Sequence, residues 1–263
     1  DTSSDRRVVE AVANAAFVIG ANPVVLYYPT SYKAFEEPIK PIAEAVSETD
    51  VWIEFAYYCI MHTPCFKRAL ENGARYTCLT GMDVIMLTNT IGKVNYDVLV
   101  EFGEYLTQYV QNSDEILIKD NNGTNLVAYN KGRKVKHSGQ KATKKGYPIM
   151  LGGQVSWCPV EETINGTLAF DAALFHYSIG FNPGVTKATG RIVEDERIFG
   201  CIEFGFGSQG ASLMGACWDA ASHTDGVISK PTIILDGKML EENGIYKDEK
   251  SVEFCKALGV AGY

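Results

Sequence analysis

Residues 5–111 alternate helical and strand-like patterns, and this alternation constrains the fold more than any other feature of the chain. DRRVVEAVANAAFVIG (5–20) carries an apolar face at helical spacing and stops at Gly20. VVLYY (24–28) is a short β-rich run, a helix with Pro38 and Pro41 near its start is expected around 36–48, and VWIEFA (51–56) reads as a second strand. TPCFKRALENG (63–73) has the punctuation of a helix. Thr63 can cap it, Pro64 takes the first helical position, where its missing N–H costs no hydrogen bond, and Gly73 ends it. ARYTCL (74–79) is a third strand, and a helix near 94–111 closes the series. Such alternation implies a mostly parallel sheet, because each parallel connection must cross back over the sheet face, normally as a helix.

The texture changes after residue 112. DEILIKDNNGTNLVAYN (114–130) predicts two strands joined at Asn-Gly. The segment KGRKVKHSGQKATKKGY (131–147) then carries seven Lys or Arg and no acid. It reads as a solvated surface loop holding His137, or as a lid or anion contact. QVSWCPV, GTLAFD, RIFGCIEFGFG and PTIILDGKML follow as short strands in a glycine-rich background. The expected organisation is an α/β domain over 1–112, with a parallel sheet and flanking helices. An α+β or mainly β metal-binding and catalytic domain follows over 113–263.

The composition excludes several classes. A formal net charge of −8 lacks the basic footprint of a nucleic-acid binder. No apolar run approaches the roughly 20 residues needed to span a bilayer, so no membrane partner is expected. No leader-like run is present, although the chain starts at Asp1 and a leader or first strand could precede it. The seven cysteines are odd in number, irregularly spaced and without C-x-x-C, as suits reduced thiols in a cytoplasmic protein. The sequons at Asn122 and Asn165 are read as Asn-Gly turns.

Chemistry concentrates in four histidines and a few acids. ASHTDG places His223 two residues before Asp225, and in an extended strand residues i and i+2 point to the same side. His176, in FHYSIGFNPG, would add a third arm from a neighbouring strand. Two imidazoles and one carboxylate are a donor set suited to non-haem Fe(II), with open positions for reactants. Spacing alone leaves this beside an ordinary polar turn. His62, by its residues alone, is a histidine that precedes the helix at Thr63. Tyr147, Trp157 and Phe204 (with Phe206) are large aromatics that would wall a binding pocket or serve as core.

Six segments in order carry a resemblance: CIMHTPCFKRALENGARYTCL, GGQVSWCPVEETINGTLAFD, HYSIGFNPG, EDERIFGCIEFGFG, ASHTDG and PTIILDGKML. Together they resemble the thermophilic-aminopeptidase-type metallopeptidase superfamily and, within it, the 2,5-dihydroxypyridine dioxygenases. The peptidases hold two metal ions, with glutamates at the first two ligand places. This chain has Gln154 and His176 there, and an amide is a poor bridging ligand. The histidine at the second place is the dioxygenase pattern. The resemblance therefore implies that His176, His223 and Asp225 hold one Fe(II), that His62 is the acid/base group, and that small hydroxylated aromatics and O₂ are the reactants. It also implies a homo-oligomer. Glu203 stands where the peptidases have a histidine and fits neither branch; a fourth ligand, a partner of a ligating histidine, a substrate contact and a buried structural acid all remain open for it.

The family has a long segment between the strands like GTLAFD and HYSIGFNPG, whereas only AALF (172–175) intervenes here. Either the chain is a pared-down relative, or residues are missing there and before Asp1; the second is the expectation, with an intact mass well above 28.8 kDa, and a mass at that value would remove it. The leading reading is a mononuclear non-haem iron dioxygenase opening a hydroxylated aromatic or N-heteroaromatic ring such as a dihydroxypyridine. Its alternatives are a hydrolase or aminopeptidase-like enzyme using zinc or another divalent metal, and a non-catalytic assembly or binding module on the same fold.

Overall fold

The computed structural model describes residues 1–263 except 32–34, 90, 138, 152–153, 158, 161–162, 176–180, 190–192, 195–196, 199–200, 206–215, 221–223, 229 and 260–263; for 86, 150, 154, 168–175 and the strands between 181 and 228 it describes the backbone alone. In chain order the helices are α1 (Arg6–Val18), α2 (Lys40–Ser47), α3 (Pro64–Glu71), α4 (Val84–Asn89), α5 (Tyr96–Gln111) and α6 (Glu249–Leu258). The strands begin with β1 (Val51–Glu54), β2 (Arg75–Cys78), β3 (Glu115–Lys119), β4 (Asn125–Tyr129), β5 (Lys136–His137), β6 (Pro148–Met150), β7 (Gln154–Trp157), β8 (Asn165–Phe175) and β9 (Phe181–Thr189). They continue with β10 (Val193–Glu194), β11 (Arg197–Ile198), β12 (Cys201–Gly205), β13 (Ala216–Ala220), β14 (Thr224–Ile228), β15 (Thr232–Leu235), β16 (Lys238–Glu242) and β17 (Ile245–Tyr246). The fold is mixed α/β with one parallel and one large antiparallel sheet.

Two compact units emerge: Asp1–Lys93 with Gln140–Leu151, and Val94–Gly139 with Gly152–Tyr263. The first unit holds the parallel sheet, in the order β1-β2-β6. Trp52, Phe66 and Tyr76 meet edge-on at its core, with Trp52 and Phe66 each 4.9 Å from Tyr76 between ring centroids. Thr63 caps α3 through the Phe66 N–H, as its sequence announces. The run 24–28 forms no strand, and Val24 is 80 % exposed. High β propensity does not suffice without a neighbouring strand to pair its backbone groups.

The second unit orders eleven strands as β17-β16-β15-β3-β4-β8-β14-β13-β12-β7-β5, with β9 on β8. Leu99, Phe102, Leu106 and Val110 form one stripe of α5 and pack on Ile116, Ile118, Leu126 and Ala128 of β3 and β4. That stripe draws α5 into the second unit rather than into the domain expected over 1–112, because the strands directly after it supply its apolar partner. The β3–β4 turn is the expected Asn-Gly turn, with the Asp120 carboxylate accepting the N–H groups of Asn122 and Thr124. The other Asn-Gly is instead strand. Gly166 in β8 has φ 131°, and a Cβ there would lie 2.0 Å from the Asn125 carbonyl oxygen, so close backbone approach is what demands glycine.

His137 is likewise buried rather than solvated. Its side chain is 2 % exposed, in β5 against β7, and its ring lies over Gly103 of α5. The basic segment thus runs through both units, with 140–147 returning to the first.

Candidate functional site

The expected metal ligands His176 and His223 lie outside the described residues. Their chain neighbours do not: Phe175 of β8 and Thr224 of β14 are antiparallel register partners. Asp225 follows in β14, opposite Leu174 of β8 on one side and Asp219 of β13 on the other. Glu203 of β12 stands between Cys217 of β13 and Ser156 of β7, with Phe204 next to it opposite Ala216 and Val155.

His62 belongs to the first unit. It sits in the turn before α3 with φ 63°, a left-handed conformation that a non-glycine residue adopts at a cost of about 1 kcal/mol or more. Its ring lies beside Phe35 and Phe66, at centroid distances of 5.8 and 5.7 Å. Burial, and then the charge of Lys67, push its pKa below the usual imidazole value, so it is held neutral and able to accept a proton. Tyr147 is on the surface of the same unit, with the Lys144 ammonium 5.3 Å from its ring centre. Trp157 is a core residue of the second unit. It is 2 % exposed, and its indole N–H donates to Asn130 Oδ1 at 2.6 Å.

The structure assembles one further cluster in the first unit. Glu54 ends β1 and pairs in register with Cys78 at the end of β2. The chain after β1 turns back, so that the Ile60 N–H donates to Glu54 Oε1 at 2.7 Å. This places Cys59 beside them, with its Sγ 4.0 Å from Glu54 Oε2. The Tyr76 hydroxyl donates to Glu54 Oε2 at 2.5 Å. Burial first, and the neighbouring Cys78 second, push the Glu54 carboxyl up to about 8. A hydrogen bond between the two thiols, with burial, raises Cys59, and the same bond lowers Cys78. Cysteine spacing concealed this group, because 18 residues separate Cys59 from Cys78. The legible signal was Glu54 itself, an acid inside the apolar strand VWIEFA.

No protein-family model and no curated protein matches this chain. Among solved structures, the 2,5-dihydroxypyridine dioxygenase of Pseudomonas putida KT2440 is similar over 95 % of this chain and 90 % of its own, with a TM-score of 0.59 and 12 % identity. The chain shares that fold. No helix among the described residues is long and apolar enough to cross a membrane.

Proposed function

We propose that this chain is a mononuclear non-haem Fe(II) dioxygenase that opens a hydroxylated aromatic or N-heteroaromatic ring, with a dihydroxypyridine as the model substrate. The carrying observation is the shared fold with a 2,5-dihydroxypyridine dioxygenase along nearly the whole chain. Of the proposed ligands, Asp225 lies within β14, in register with Leu174 of β8. His176, His223 and Asp225 would hold the iron, a donor set that suits Fe(II) and leaves positions open. Bound there, the iron would supply O₂ activation beside the ring.

The protein's own groups would manage protons and orientation. His62, held neutral by its partly buried place between Phe35 and Phe66, would take the proton of a ring hydroxyl, leaving an electron-rich anion. Glu203 would accept a hydrogen bond from substrate or from a ligating imidazole. Phe204 and Tyr147 would contact the flat ring.

The test is anaerobic loading with Fe(II), metal analysis, and oxygen uptake on a panel of hydroxypyridines. About one iron per chain and ring-dependent uptake are expected, with both lost in His223→Ala. Zinc retention with peptide turnover would favour a hydrolase instead, and a protein that takes up no metal is not an iron enzyme.

A further inference from the structure

We propose that Glu54, Cys59 and Cys78 form a binding site for a thiophilic divalent metal ion of the zinc type, in the first unit and independent of the iron ligands proposed above. Their donor atoms all lie within 4.8 Å of one another. Tetrahedral zinc holds sulfur at about 2.3 Å and carboxylate oxygen at about 2.0–2.2 Å, which sets neighbouring donors about 3.6–3.8 Å apart. Cys59 Sγ and Glu54 Oε2 are already 4.0 Å apart, so closing the site needs side-chain shifts below about 1 Å. Two thiolates select a soft or borderline metal over magnesium or calcium.

Hydrogen-bond partners already surround the three ligand atoms. Glu54 accepts from the Tyr76 hydroxyl and the Ile60 N–H. Cys59 Sγ accepts from the Met61 N–H at 3.3 Å, and Cys78 Sγ is partnered by the Thr80 hydroxyl. Each ligand thus has its own hydrogen-bond partner, the outer shell that orients metal-binding side chains. The Tyr28 hydroxyl is also buried, and among the described residues it has no hydrogen-bond partner. Metal binding displaces the thiol and carboxyl protons to solvent, and the charge of the ion replaces them. No redox step is involved.

Cobalt(II) separates this site from the iron site, because His176, His223 and Asp225 include no thiolate. Chelator-treated full-length protein titrated anaerobically with cobalt(II) should show a near-ultraviolet thiolate-to-cobalt charge-transfer band. The band should vanish in Cys59→Ser and in Cys78→Ser, survive in Cys201→Ser with Cys217→Ser, and need at least about tenfold more cobalt in Glu54→Gln. A folded wild-type protein without the band, or a band that survives loss of both Cys59 and Cys78, overturns the proposal. A wild-type measurement guards against misfolded variants: zinc should slow alkylation of Cys59, read by peptide mass spectrometry. Equal rates with and without zinc refute the site.

Discussion

Replacing Glu241 by leucine should make the protein more stable at pH 8. Glu241 is 2 % exposed in β16, pairs with Ile233 and Tyr246, and among the described residues its Oε1 has no hydrogen-bond partner. Burial pushes its carboxyl from an ordinary 4.5 up to about 8. Because the folded-state value is raised, the native state holds a proton that the unfolded chain releases. The associated stability is complete below about pH 4.5 and is lost as pH rises through about 8. A tenfold difference in proton affinity between the folded and unfolded states is worth about 1.4 kcal/mol, so the full window contributes about 5 kcal/mol at most, a large share of a typical domain's 5–15 kcal/mol. Glu241→Leu removes both the titration and the unpaired oxygen. The assay is urea unfolding at pH 5 and pH 8, followed by the fluorescence of Trp157, which shares this core. The difference in stability between leucine variant and wild type should grow in the variant's favour by several kcal/mol from pH 5 to pH 8. Parallel profiles, or a variant less stable than wild type at pH 8, would refute the assignment of a buried, protonated Glu241.

Gly103→Ala should destabilise by about 1–3 kcal/mol despite alanine's better helix propensity, because its Cβ would lie 2.2 Å from His137 Nε2; the loss should shrink in a His137→Ala background. His137 is lowered by burial, with Glu104 opposing, so its contribution is present above about pH 6.5 and is lost as pH falls; His137→Gln should flatten the acid limb of the Trp157 unfolding profile. Trp157→Phe should cost about 1–3 kcal/mol in urea unfolding by leaving Asn130 Oδ1 buried without the indole donor.

Much of the fold was legible because its signals are local. The Thr63–Pro64 cap, the Asn122–Gly123 turn and the helix near 94–111 each rest on interactions within a few residues. The parallel sheet followed from alternation, although its third strand comes from 148–150 and not from 24–28. An extended run becomes a strand only when an edge is available, and sequence does not show edges. For the candidate site, the short spacing of His223 and Asp225 was legible, whereas the pairing that opposes Phe175 to Thr224 crosses 49 residues.

The sequence by itself determined α1, α2, α3 and α5, the Thr63 cap, the β-rich second half and the residue types suited to holding a metal, since these depend on near neighbours and on side-chain chemistry, whereas α4 and α6 were not anticipated. Tertiary structure decided the rest. A bulge in β16, where Leu240 is the extra residue opposite Ile233 and Ile234, leaves Leu240 and Glu241 both buried, where strict alternation would have sent the acid to water. Parallel pairing set Cys78 against Glu54, and a returning loop brought Cys59 to both. These outcomes depend on register and loop closure, which no local pattern of residues encodes.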